Sequence, residues 1–315
     1  MLWVTWRQQR LEAAIGGAML AIVALFLLIT GLALTATYRG TGLAACVARQ
    51  TQSQACQSAA QAFIGGQFNA LAPILTWFNF LPLVFGLLLA APVVLELEQG
   101  TYRLAWTQSV TRLRWVMVKL GLIVAGAVVI GFALTTLLTW WLGPANALQG
   151  RFYPGGFGYQ GLAPIAYTVF AVALGVAVGT LLRRTIPAVG ITLIGFVALR
   201  LGIEAWVRPH YLPPLMTTGT ANVAPPSRLD WLVSSNAIWR DRLGRELDFN
   251  GVERLCGAPS AAALACLRQR GVREVVLYQP ADRFWLFQGI ESAIFLGLAA
   301  GLLALTVWWV RYRIA

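Results

Sequence analysis

Six apolar stretches divide the chain: Ala13 to Thr37, Leu71 to Leu95, Trp115 to Leu142, Leu162 to Leu182, Ile186 to Val207 and Phe284 to Val310. A helix needs about 20 mostly apolar residues to cross the hydrocarbon core of a bilayer, and each stretch meets that length. The pattern predicts an all-α polytopic membrane protein with six transmembrane helices. The first stretch is too long for the apolar core of a cleavable signal peptide, and no small-residue cleavage site precedes the next polar segment.

Between the fifth and sixth stretches the pattern changes character. The segment from Arg208 to Arg283 carries 17 of the 36 charged residues, a density typical of a soluble domain. A loop of that size inside a compact protein is expected to fold. Pro209, Pro213, Pro214, Pro225 and Pro226 mark its beginning as loop. Ser234 to Leu247 reads as a helix, Ser260 to Arg270 as another, and Glu274 to Gln279 as a short strand. The predicted organisation is residues 1–207 for the first five helices, 208–283 for a small α+β extracytoplasmic domain, and 284–315 for the sixth helix and C-terminus.

Composition narrows the function. The 315 residues are 58% hydrophobic and only 11% charged, which excludes an ordinary soluble domain. The net charge of +12 raises nucleic acid as a partner, but the basic residues are scattered among apolar runs and form no polybasic stripe. They read as topology signals. With the N-terminus inside, the inner segments carry Arg7, Arg10, Arg103, Arg112, Arg114, Lys119, Arg183, Arg184, Arg311 and Arg313. The short outer segments carry only Arg39, Arg49 and Arg151. Both termini are therefore expected in the cytoplasm, with the chain in the bacterial plasma membrane and lipid as its surroundings.

All four cysteines fall on the expected outer face. Their spacing suggests disulfides Cys46 to Cys56 and Cys256 to Cys266 in an oxidising compartment. Four free thiols are the alternative. A zinc site has little to stand on, with His210 the sole histidine and no CxxC spacing. Catalytic motifs are missing as well: there is no GxxxxGK[ST] loop, no HExxH and no GxSxG, and Lys119 is the sole lysine. These absences predict a non-enzyme that binds no metal and no cofactor of its own, and point to transport or scaffolding.

The segment LELEQGTYRLAWTQSVTRLRWVMVKL, Leu95 to Leu120, is the most informative. Leu97, Thr101, Leu104 and Ala105 share one face of an expected short helix, Thr107 to Ser109 interrupt it, and Thr111 can cap the helix that re-enters at Trp115. Such a surface suits a docked partner; a solvated hairpin is the plainer reading. In this run an acidic pair precedes Gly-Thr, and Ser, Arg and Lys follow. It resembles the cytoplasmic loop of type-2 ABC exporter permeases. The matching positions are Glu96, Glu98, Gly100, Thr101, Ser109, Arg112, Arg114 and Lys119; Arg103 and Trp106 join them as candidate coupling residues within residues 96–114. The N-terminal WVTWRQQRLE resembles the family's interfacial elbow helix, and Arg183-Arg184-Thr185 and YQPADRFWLFQGIE also fit. The large outer segment departs from the short re-entrant helices usual in the family.

The resemblance implies a permease subunit of an ATP-driven exporter, working as a homodimer with two copies of a separate ATP-binding subunit. ATP and Mg would belong to that partner. A lipophilic or amphipathic substrate (drug, lipid or peptide) would move outward by alternating access as coupling helices around Glu98 to Trp106 are drawn together. A polytopic scaffold or sensor with a ligand-binding outer domain is the rival, and a secondary transporter a weaker third, for lack of midplane ionisable residues.

Three smaller features remain. Trp3, Trp6, Arg7 and Arg10 suit a helix lying in the interface, and Trp308, Trp309, Arg311 and Arg313 an inner belt. Arg200, Glu204 and Glu291 are intramembrane charges, Arg200 and Glu291 placed roughly 10 Å below the outer surface by helical rise and Glu204 one turn from Arg200, and Arg200 is expected to pair with Glu204 or Glu291. Thr76, Trp77, Asn79 and Phe80 in the second span, which would line the cavity in that family, are candidate substrate contacts, with Pro82 and Pro92 able to bend it. Thr135, Thr136 and Thr139 of the third span read as packing or interhelical hydrogen bonds.

Overall fold

The structure is a computed structural model that describes residues 2–49, 53–103, 111–219, 223, 226–233, 238–258 and 260–313. Among them, six helical segments are long and apolar enough to cross a membrane: Ala13–Gly40, Pro73–Gln99, Arg112–Trp141, Ala163–Leu182, Thr185–His210 and Ala281–Tyr312. The first belongs to α1, Leu2–Gly40, one unbroken helix. The N-terminal stretch expected as a separate interfacial helix is thus continuous with the helix of the first span, since no Gly or Pro interrupts it before Gly16.

Two short helices follow, α2 (Leu43–Ala48) and α3 (Gln54–Phe63), joined by the Cys46–Cys56 disulfide. The second span is two helices, α4 (Asn69–Phe78) and α5 (Leu81–Gln99). The break at Asn79–Phe80 places Pro82 in the first turn of α5, the helical position that tolerates a residue without an N–H. At its far end α5 stops at Gly100, whose φ of 72° is left-handed. Leu97, expected on one face of the short cytoplasmic helix, is instead a buried residue of the second span, and helix resumes at Tyr102–Arg103. Trp106 and Ser109 lie outside the described residues.

The third span is α6, Arg112–Trp141, capped by Thr111, whose hydroxyl accepts the Arg114 N–H at 3.3 Å. Then come α7 (Gly143–Gln149), a single turn at Pro154–Phe157, α8 (Ala163–Leu182) and α9 (Thr185–Gly202). The fifth span continues from α9 through a wide π turn, Ile203–Val207, and a tight turn, Arg208–His210. The sixth is α12, Phe284–Tyr312.

The fourth span, α8, is the axis of the bundle and packs against α5, α6, α9 and α12. Apolar on every side, it must be surrounded. Its small residues let neighbours approach closely: a Cβ added to Gly86 of α5 would lie 2.4 Å from the Ala171 Cβ and 3.0 Å from the Val172 backbone nitrogen. Close backbone approach of this kind substitutes for the hydrophobic drive that lipid cannot supply. Gly86→Leu is expected to destabilise the bundle by about 3 kcal/mol through overpacking. Gly121→Ala, with nothing within 4 Å of its Cβ position, should melt like the parent. Thermal unfolding in detergent decides it; equal melting of Gly86→Leu would refute the close packing.

The segment between the fifth and sixth spans forms an antiparallel sheet with two helices. Its strands are β1 (Leu215–Gly219), β2 (Trp231–Leu232), β3 (Ile238–Arg240), β4 (Glu246–Leu247) and β5 (Arg273–Gln279). Along one edge β5 pairs with β1, along the other with β2 and β3, and β4 pairs with β3. Helices α10 (Phe249–Cys256) and α11 (Ala261–Arg270), linked by the Cys256–Cys266 disulfide, cover Trp239, Val252, Leu267 and Val272. The helix expected over Ser234 to Leu247 is contradicted by β3 and β4. Trp239 faces this small core between half-exposed neighbours, a two-residue alternation that pairing with β5 and β4 rewards.

Candidate functional site

The bundle has two ends. At one, here the loop end, lie α2, α3, α7 and the β domain; at the other, the terminal end, lie the start of α1, the end of α12, Gly100, Thr111 and the Arg183–Arg184 turn. Polar side chains concentrate at a distinct place at each.

At the loop end, Arg200, Glu204 and Arg208 recur every four residues along the fifth span. Arg208 meets Glu291 of α12 with both ends of its guanidinium, Nε to Oε2 and Nη2 to Oε1, each at 2.8 Å. Such a forked pair is the strong form of the interaction. Arg200 Nη1 lies 3.2 Å from Glu204 and 3.7 Å from Glu291, and Arg200 Nη2 lies 3.4 Å from Asn79 Oδ1, at the break in the second span. Tyr167 of α8 also donates to Glu291, and the Tyr211 hydroxyl reaches it at 3.1 Å. Burial, reinforced by the adjacent carboxylate, pushes the Tyr211 hydroxyl well above its ordinary range, so it stays a donor.

Two guanidinium groups and two carboxylates make the cluster neutral, and Glu291 is 0% exposed. Both cations also lie over rings, Arg200 4.0 Å from the centre of Tyr167 and Arg208 4.5 Å from that of Phe157. Gly158 leaves room for the Arg200 guanidinium, which a Cβ there would meet at 2.1 Å. The cluster ties the second, fourth, fifth and sixth spans together. Gln288 extends it: its Oε1 accepts the N–H groups of Leu162 at 3.1 Å and Ala163 at 2.9 Å, capping α8, while its Nε2 donates to the Phe157 carbonyl.

Reasoning from sequence missed Arg208, because the hydropathy pattern ends the span at Val207. The signal was present as the four-residue recurrence Arg200, Glu204, Arg208. Of the candidate substrate contacts, only Asn79 touches the cluster. Trp77 is 73% exposed and packs on Phe80 at 6.2 Å between ring centres, and Thr76 is exposed. The crevice beside Asn79 and Tyr167 measures about 10 Å³, room for one water at most.

At the terminal end the acidic pair is engaged inside the chain. Glu96 pairs with Lys119 of α6, whose ammonium is buried and sits 5.1 Å from the centre of the Trp115 ring. A buried ammonium needs a counter-ion, which explains why Glu96 turns inward. Glu98 instead crosses to the fifth span, accepting the Thr185 N–H at 2.9 Å and the Thr185 hydroxyl. A carboxylate there also complements the positive end of α9. Thr101 donates weakly to the Glu96 carbonyl at 3.5 Å, while Tyr102 and Leu97 are buried. Arg103 and Arg114 are left exposed, at either side of residues 104–110. The second, third and fifth spans are thus held together where the loop between the second and third emerges.

The family model described as ABC-2 membrane transporter related matches residues 17–208, from the first span to the end of the fifth. No curated protein and no solved structure matches the chain.

Proposed function

Because the chain belongs to the ABC-2-related membrane transporter family, we propose that it is the permease subunit of an ATP-driven exporter, energised by a separate ATP-binding subunit docked at residues 96–114. The carrying observation is the bracing at the terminal end: Glu96 to Lys119 joins the second and third spans, and Glu98 to Thr185 joins the second and fifth. A loop rooted in three tied helices moves them as a unit, and α8, packed on α5, α6 and α9, carries the motion inward. Exposed Arg103 and Arg114 supply the charge that faces the docked partner, while Glu96 and Glu98 act as its anchorage rather than as contacts.

In this reading the termini and the loop of residues 100–111 are cytoplasmic and the β domain lies outside the plasma membrane, in keeping with the arginine distribution and the two disulfides. Two copies of the permease would face two ATP-binding subunits, and a lipophilic or amphipathic substrate would pass between the copies as alternating access proceeds. Purification of the full chain from its native membrane should bring down an ATP-binding protein in equal amount. Its repeated absence would favour the rival, a non-transporting sensor built around the β domain.

A further inference from the structure

The β domain carries a basin of about 650 Å³ walled by Arg240, Arg242, Arg268 and Arg273. Independently of the exporter reading, we propose that this basin binds a phosphate group carried by a small soluble molecule. The single carboxylate on its wall, Asp241, is already taken: it accepts the N–H groups of Leu243 and Arg245 at 2.9 Å and the Arg245 Nε at 2.8 Å. Those bonds, the Arg245 backbone foremost, hold its carboxyl below the usual carboxylate range, so it stays ionised and occupied.

Two of the arginines are held in place by the fold. Arg240 is pinned by Glu246 at 2.7 Å. Arg242 donates to the Gln269 carbonyl at 2.7 Å and lies across Gly271, where a Cβ would come within 2.3 Å of its Nε. Gly271 also has a left-handed φ of 68°, so the position favours glycine twice over. The guanidinium groups of Arg268 and Arg273 have no hydrogen-bond or ion-pair partner among the described residues, and the Arg240 Nε is buried without an acceptor among them.

On one side Arg240 faces Glu246 of β4, which offsets part of its charge; on the other side it faces a second arginine. Arg240 and Arg273 are direct partners across β3 and β5, and like charges directly opposite destabilise a sheet. An anion between them turns that repulsion into attraction. Guanidinium forks match the edges of a tetrahedral oxyanion and lose little freedom on binding when already held. The basin is larger than one phosphate and falls in the range of small-molecule sites, so the phosphate bears a further group.

Arg273 opens β5 and Gln279 closes it, next to the sixth span, which puts roughly 20 Å of strand between the arginines and that span. That reach favours a phosphate carried in solution over a headgroup of the surrounding bilayer.

Calorimetric titration of the purified full chain in detergent with glycerol phosphate, and separately with inorganic phosphate, tests the proposal. Saturable binding is expected, weakened about a hundredfold in Arg268→Gln/Arg273→Gln, since each guanidinium removed from a charge-assisted hydrogen bond weakens binding about tenfold. Arg268→Lys/Arg273→Lys, which keeps charge without the forks, should fall between. Arg254→Gln, on α10 away from the basin, should bind as the parent does. Absence of saturable binding by the parent, undiminished binding by the Gln pair, or binding only to phosphatidylglycerol vesicles would overturn the proposal.

Discussion

Replacing Glu291 with alanine is expected to destabilise the purified protein by about 3–5 kcal/mol, the usual consequence of leaving a buried charge without its partner. Glu291 is fully buried and is the one carboxylate that Arg208 grips at both ends. Without it, Arg208 keeps only Glu204 at 3.7 Å, and the Tyr167 and Tyr211 hydroxyls lose their acceptor. Removing both charges together is a different perturbation. In Arg208→Met/Glu291→Met, Arg200 still pairs with Glu204, no orphan charge remains, and most of the stability should return. Thermal unfolding in detergent, followed by tryptophan fluorescence, reads all three proteins. If Glu291→Ala unfolds with its parent, the cluster does not brace the bundle.

Cutting the tie between the second and fifth spans is expected to separate function from stability. Glu98 is exposed, so Glu98→Ala/Thr185→Ala should shift unfolding by less than about 1 kcal/mol. On the proposed exporter reading, in complex with an ATP-binding subunit, the same variant should lose stimulation of ATPase activity by transported substrate. The expected factor is roughly 5 to 150, the span of coupling free energies of about 1–3 kcal/mol. The basal ATPase of the partner should not change. Full stimulation in the variant would remove the braced stem from the mechanism. Glu96 is a poorer target for this purpose, because its substitution also strands the Lys119 ammonium.

The contrast between Glu96 and Glu98 shows what the chain discloses in one dimension and what it withholds. Both were readable as an acidic pair leaving the membrane, and Thr111 as the cap of the next helix. Their opposite destinations depend on which helix stands beside them, and that is a property of packing. The six spans were legible because bilayer thickness imposes a length that no local preference can mimic. The paired spacing of Cys46 with Cys56 and Cys256 with Cys266 was legible too, since a short loop leaves each cysteine one near neighbour. Arg208 escaped because average hydropathy ends a span at a charge, whereas here the charge is carried inward by Glu291. The strands at Ile238–Arg240 and Glu246–Leu247 escaped because the first takes its place from β5, more than 25 residues further along, and the second from the first.

The central position of α8 dictates an order of assembly. The chain is made from its N-terminus, so the first three spans enter the bilayer before the helix they are built around exists. Gly86 of α5 must then wait against lipid for Ala171. The fifth span enters with Arg200 and Arg208 already in place, while Glu291 arrives only with the sixth span. In the interval the two guanidiniums have a single carboxylate, Glu204, between them. Insertion of the sixth span is therefore a charge-neutralising step, and a ribosome stalled before it would leave a net positive, incompletely closed bundle for quality-control proteases to find.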